Sequence, residues 1–312
     1  MSTIKYTKAT YLQSFINWFD SYSTYTHDTK IDSKNIDWFR TIPFIILHIS
    51  VLFVFVVGWS PIAIITALGL YTIRMLAITG FYHRYFSHKA FKTSRLVQFI
   101  FAVIGASAVQ RGPLWWASHH RSHHKNSDGK DDEHSPRQHG FLWSHTGWFL
   151  SKQNFSTQHE RIADFSKYPE LKFIDRFDIL VPVIFGIALY IFGEIVATNF
   201  TESNTSGAQI LVWGFVISTL MLYHMTFTIN SIAHTIGRRR FDTKDDSRNN
   251  WFLALITFGE GWHNNHHFYP GSARQGFVWW EIDICYYFLK GLEKMGLIWD
   301  LKPLPKRVKD LL

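Results

Sequence analysis

Apolar residues along this chain gather into four long runs separated by polar segments. The first is 41–59, TIPFIILHISVLFVFVVGW, and the second is 61–80, PIAIITALGLYTIRMLAITG. The third is 179–197 and the fourth 209–229. Each supplies about the 20 residues a helix needs to cross a hydrocarbon core. Only Ser60 separates the first pair, so those two predict a helical hairpin. A fifth run, 97–111, is short for a span. It predicts an interfacial or re-entrant helix packed over the inner ends of the spans. The run 278–295 predicts a surface-lying helix with an aromatic face. The pattern as a whole predicts an all-α integral membrane protein. Residues 1–40 form an N-terminal arm, and 41–312 form a single domain of four transmembrane helices. Its helical cap comprises 81–178 and 230–312.

Charge orients this arrangement. Lys and Arg number five in 1–40, fourteen in 81–178 and twelve in 230–312, with none in the two short outer loops. The positive-inside rule then places the N-terminus, the cap and the C-terminus in the cytosol, with a bacterial cytoplasmic membrane as the expected location. The net charge of +8 beside long apolar runs fits a lipid bilayer surface or an anionic substrate head, and no nucleic acid is expected. Aromatic residues make up 17% of the chain, and Trp18, Phe19 and Trp38 suit a membrane interface. The one cysteine, Cys285, excludes an intrachain disulfide and a Cys-rich metal site. The polar first 40 residues show no signal-peptide pattern.

Chemistry concentrates in histidine boxes, each of them in a segment assigned to the cap. In WWASHHRSHH, His120, His123 and His124 follow i, i+3, i+4 spacing and share one helix face. The same spacing returns in WHNNHH as His263, His266 and His267. One such group could be a surface cluster; two in one chain point to metal ligands. HRYFSH adds His83 and His88. Five residues apart, these stand about 140° apart on an ideal α-helix, so sharing a metal requires the helix to end or change between them. NSIAH adds Asn230 and His234 at i, i+4. Nine imidazoles are too many for one metal and suit two, each with four or five. Without thiolates the donor set fits Fe, Cu or Zn. A neutral ligand set favours oxidative or hydrolytic chemistry at a shared pocket. Metal transport would call for ionisable residues along the spans, and here the histidines gather at the inner ends.

HRYFSH, HRSHH, NSIAH and GEGWHNNHHFYP, in this order, resemble the membrane-bound fatty acyl desaturases of the stearoyl-CoA desaturase-like group. The likeness extends over about residues 40–300 and includes FLWSHTGW and GSARQGFVWWEID. It implies a four-span mushroom with two Fe ions on the nine histidines, one of them reached through water by Asn230. It implies O2-dependent formation of a cis double bond, at Δ9, in a long saturated acyl chain. Long-chain acyl-CoA is the carrier the resemblance favours. However, Ser118 and His119 stand where animal acyl-CoA members have Arg-Asp, and Asp132-Glu133 where they have Asp-Pro. Acyl carrier protein or a lipid therefore stays open as the carrier. No His-Pro-Gly-Gly haem motif occurs, so a separate electron donor of ferredoxin or cytochrome b5 type is expected. In the family, positions on the second span limit chain length, and counting back from His83 gives Ala67 and Tyr71. His145 and Trp148 of FLWSHTGW are further candidates for substrate contact. Glu260 is expected to hydrogen-bond a ligand histidine. His119 is expected outside the metal shell, and His134, His139 and His159 at the surface. Arg74 is expected to snorkel towards the cytosol, and Arg238, Arg239 and Arg240 to anchor the inner face or, alternatively, to contact phosphates of the carrier. A di-iron hydroxylase or alkane monooxygenase is the alternative within enzymes, and a metal transporter or receptor outside them.

Overall fold

A computed structural model of the protein describes residues 15–22 and 34–312. The arm read from 1–40 thus lies partly outside the described residues. Among the described residues, four helices are long and apolar enough to cross a membrane: α1 (Trp38–Val57), α2 (Pro61–Ser87), α5 (Leu180–Asn199) and α6 (Gly207–His234). Between α2 and α5 lie α3 (Arg95–Ala106) and α4 (Pro113–Asn126). After α6 come the short α7 (His263–Phe268) and α8 (Ile284–Lys294). The C-terminal ends of α2 and α6 run beyond the apolar stretches, to Ser87 and His234. That continuation carries His83 and His234 on the same rods that span the membrane.

The outer turns are tight for local reasons. Gly58, at φ 65°, closes α1 in a conformation that favours glycine. The Ser60 hydroxyl accepts the Ala63 N–H at 3.1 Å, and Pro61 starts α2. Ser60 also meets Thr205 Oγ1 at 2.9 Å, tying the two outer turns together. α5 and α6 cross where a Cβ on Gly193 would lie 2.6 Å from Gly207 Cα, so both backbones depend on small residues there.

The cap folds back on the inner helix ends. Lys92–Thr93 (β1) pairs antiparallel with Ile298–Trp299 (β2), joining the first polar segment to the last. Arg84 of HRYFSH is fully buried and reaches Ala273 O at 2.8 Å, Asp283 at 2.9 Å and Glu260 at 3.2 Å. Arg121 of HRSHH donates to the carbonyls of Phe86 and Ser87 at the end of α2 and pairs with Asp164. Each of these arginines joins its histidine box to another segment.

Several expectations change. The 97–111 run is helical only as α3, whose Leu96 and Ile100 stay exposed as on a surface helix. The 278–295 run is helical only from Ile284. Arg74 does not snorkel: it is 1% exposed and donates to Ser107 O at 3.1 Å, Thr219 Oγ1 at 2.8 Å and Ser218 Oγ. A cation inside a span is tolerated when its donors are satisfied by protein oxygens. Trp18 is half-buried, stacked on Phe39 with ring centroids 4.9 Å apart, while Phe19 and Trp38 stay exposed.

Candidate metal centre and acyl cavity

The nine histidines separate into two sets. His83, His88, His120, His124 and His266 form one, and His123, His234, His263 and His267 the other, with ligand atoms in each set within 4.8 Å of one another. Both repeated boxes serve both sets. His120 and His124, one turn apart on α4, join the first set while His123 turns to the second. His263 and His267 on α7 join the second set while His266 turns to the first. The even shared face expected from spacing is thus divided between two neighbouring sites.

Local backbone explains how His83 and His88 meet. Ile78–Ser87 is a π-helix, in which each hydrogen bond spans five residues. The wider turn brings i and i+5 close to one face, and His88 caps the segment. Their rings lie 4.9 Å apart. α4 begins at Gly112–Pro113, where Asp175 Oδ1 accepts the N–H groups of Leu114 and Trp115 at 2.9 and 2.8 Å. A Cβ on Gly112 would lie 2.4 Å from Asp175 Cα, so only glycine permits that approach. α7 is too short to stand alone, and its two asparagines pin it. Asn264 Oδ1 accepts from the N–H groups of Arg240 and Phe241 at 2.8 Å each. Asn265 Nδ2 donates to Gln275 O and Glu281 Oε2.

Carboxylates fix the rings from behind. His234 Nδ1 donates to Asp128 at 2.8 Å, His267 Nδ1 to Asp245 at 2.7 Å, His123 Nδ1 to Asp132 at 3.1 Å, and His83 Nδ1 to Glu260. A carboxylate accepts only, so each Nδ1 carries the hydrogen and each Nε2 lone pair faces the set. Within the first set, Nε2 atoms approach at 3.0 Å for His83 and His266, 2.9 Å for His88 and His120, and 2.9 Å for His124 and His266. In the second, His234 and His263 approach at 3.0 Å. Lone pairs meeting at that distance repel unless a cation lies between them. Two nitrogens about 2.1 Å from one metal, at right angles, stand about 3.0 Å apart. The buried His267 Nε2 has no hydrogen-bond partner in the protein, as a metal donor should not. The residues therefore fit two metal ions, one in each set.

For six of the nine histidines the protonation state agrees with the geometry, while Asp132 raises His123 against the effect of burial. Burial, then neighbouring imidazoles, push His120, His124, His263 and His266 well below the ordinary 6.5. Burial lowers His267 to about 4 although Asp245 opposes it. Burial would raise Asp128, yet His234 holds it at about 2. An imidazole whose pKa falls on folding takes up protons more readily in the unfolded chain, so acid favours unfolding. The metal-free protein is expected to lose thermal stability as pH falls below 6.5, and these groups to leave stability flat above it. Melting curves of chelator-treated protein across pH 5.0–8.0 check this: equal midpoints throughout would contradict the neutral-ligand assignment.

A largely apolar cavity of about 750 Å³ has both sets in its wall, through His83 and His120 of the first and His123 and His263 of the second. Asn230 and Trp148 also line it. So does a tie missed from the sequence: Gln110 receives the Trp116 indole at 3.4 Å and donates to Thr226 at 2.7 Å, and Trp116 stacks on His120 at 5.0 Å. From there the cavity continues between α1, α5 and α6 to Tyr190 and Leu211.

Of the other sequence candidates, His119 and His134 also line the cavity, while Ala67, Tyr71, His139, His145 and His159 do not. Ala67 and Tyr71 do not line this cavity; Tyr71 faces Phe258 and donates to Ile256 O. His145 sits outside the lining, bonded to Ser231 Oγ at 3.0 Å and His224 at 3.2 Å. His134 is not a surface residue: it is buried, stacked on His123 at 4.3 Å. His119 is buried against Glu133, in keeping with a place outside the metal shell. His159 is half-buried against Tyr22, and His139 reaches Asp132 O at 3.1 Å. Asp128, Asp132 and Asp245 were not recognised as ring-orienting groups. Their signal was present in DGKDDE and DTKDD, acidic clusters just after ligand-bearing helices.

Comparison with known proteins agrees with this architecture. A sequence model of the family described as fatty acid desaturase matches residues 57–293. The chain is 37% identical over 258 residues to palmitoyl-monogalactosyldiacylglycerol delta-7 desaturase of Arabidopsis thaliana, covering 81% of this chain and 65% of that protein. It is 36% identical to acyl-CoA 5-desaturase AL21 of Anemone leveillei, covering 80% and 74%. It is 34% identical to sn-1 stearoyl-lipid 9-desaturase of Anabaena variabilis, covering 87% and 96%. The nine histidines, the spans that carry them and these matches lead to one conclusion: the chain belongs to the fatty acid desaturase family.

Proposed function

We propose that the protein is an O2-dependent acyl desaturase. It forms a cis double bond, at Δ9, in a long saturated acyl chain, using two iron ions and electrons from a separate donor. The observation that carries this reading is the apolar cavity with both histidine sets in its wall. Its volume suits a single acyl chain. The Lys and Arg distribution supports a cap in the cytosol, where a ferredoxin- or cytochrome b5-type donor could dock.

Bound iron would supply O2 activation and removal of hydrogen from two adjacent methylenes. The chain's own part is positioning. The carboxylates behind His83, His123, His234 and His267 hold those rings in one tautomer. The Gln110 bridge fixes the wall beside His120, so one C–C bond of a threaded chain stays next to the ligands. The apolar walls beyond exclude water.

Asn230 lines the cavity that both histidine sets share. Asn230→Ala is expected to lower the rate about tenfold or more while leaving metal content near that of the unaltered protein. Metal loss equal to that of His234→Ala would make Asn230 a direct ligand or a structural residue.

The cavity, not Tyr71, should set chain length. A Cβ on Gly186 would meet only Leu211 Cδ1, at an ordinary 3.6 Å, so a larger side chain there fills the cavity without moving the helix. Gly186→Leu is expected to shift products towards chains shorter by about two to four carbons, each methylene being worth about 0.8 kcal/mol of burial. Tyr71→Ala is expected to leave the profile unchanged. Feeding C14 to C20 saturated acids to cells expressing each variant checks both.

The function itself is tested in a host lacking desaturase activity. Gas chromatography–mass spectrometry of its fatty acids should show new cis monoenes. Hydroxy acids in their place would favour the hydroxylase reading.

A further inference from the structure

The apolar half of the cavity is not closed by protein. On α5 and its N-cap the lining residues are Ile179, Pro182, Val183, Gly186, Ile187 and Tyr190, along a single face. From Ile179 to Tyr190 this face covers about 16 Å of helix rise. Pro43, Phe44 and Leu47 of α1 stand opposite. α1 and α5 each pack on α6, which supplies the floor through Phe215, Tyr223 and Phe227. Val183, Ile187 and Tyr190 remain 50%, 57% and 45% exposed. Exposed apolar surface along a span faces hydrocarbon. A slot between α1 and α5 therefore joins the cavity to the bilayer.

The polar end is built differently. Asn17 and Trp18 line it, and the 15–22 segment is tied down across it. Ser21 N–H donates to Arg176 O and Tyr22 OH to Asp175, both at 2.9 Å, while Arg176 grips Asp20 at 2.6 Å. The Trp18 indole donates to Phe39 O at 3.2 Å. Among the described residues, the Arg side chains in the lining are Arg40 and Arg111. Arg40 lies 3.6 Å from Asp37, and Arg111 lies 2.6 Å from Asp178. A nucleotide carrier brings several phosphate charges and needs cations to receive them. This mouth is strapped over, and its arginines already face carboxylates.

We propose that the acyl chain enters sideways from the bilayer, through the slot between α1 and α5, and that its carrier is a membrane glycerolipid. This rests on the acyl desaturase reading and deepens it.

The test uses the full, iron-loaded chain in lipid nanodiscs. One probe is a phosphatidylcholine with a photoreactive diazirine near the methyl end of one saturated chain. The other is the CoA thioester of the same chain. The lipid probe is expected to label cavity residues such as Ile187, Leu211 and Phe215 about tenfold more than the thioester, a difference of about 1.4 kcal/mol in occupancy. Ile184 and Ile191, exposed on α5 but outside the lining, report lipid that merely surrounds the protein. Val183→Trp, which narrows the slot, should lower labelling at Leu211 severalfold and leave Ile184 unchanged. Lipid labelling confined to Ile184 and Ile191, or thioester labelling of the cavity at equal yield, would overturn the proposal. A pulse of labelled stearate in expressing cells separates the two readings. New double bonds appearing first in glycerolipid support lateral access. Their first appearance in the acyl-CoA pool overturns it and leaves the desaturase reading intact. Cavity labelling by the lipid with no double bond formed overturns the desaturase reading alone.

Discussion

His267→Ala is expected to abolish double-bond formation and to cost the second histidine set its metal, while the protein still inserts in the membrane. That set has four imidazoles, and losing one leaves three. The first set has five, so His88→Ala or His124→Ala leaves four and should retain more metal. Activity should nonetheless fall to background in all three, because residues that act as a unit fail together. Metal analysis of each purified variant, beside product analysis in cells, reads both effects. Full activity with two metals per chain in any variant would remove that residue from the ligand sets. Equal metal loss in His88→Ala and His267→Ala would contradict the division into five and four.

Asp245→Asn and Asp128→Asn are expected to weaken metal binding by roughly 10- to 100-fold without touching a ligand. Asn keeps a hydrogen-bond acceptor but loses the charge that holds the Nδ1 hydrogen on His267 or His234. Excess iron should restore much of the activity in these variants and none in His267→Ala. Titration with a competing chelator measures the shift. Affinity unchanged in both variants would show that the rings are held by packing alone.

Much of this was legible in the chain. The apolar runs located all four spans, because length and hydrophobicity alone decide whether a helix can cross a bilayer. Histidine spacing pointed to the imidazoles that cluster, because i, i+3 and i+4 positions share a face on any helix. The division into two sets was not legible, since it depends on the angle at which α4 and α7 meet. Nor was the π-turn of Ile78–Ser87, which no spacing rule announces. Buried His134 was misread because its burial comes from a loop folding over His123. The course of the cavity was not legible for a related reason. Tyr71 lies at a plausible depth on α2, but the cavity follows the gap between α1 and α5, which only the packed bundle reveals.

The most direct test of the two-site centre is the metal content of the purified, active protein. Two iron ions per chain are expected, both lost together with activity on chelation and both recovered on adding iron back. One metal per chain in fully active protein, or full activity with zinc in place of iron, would contradict it.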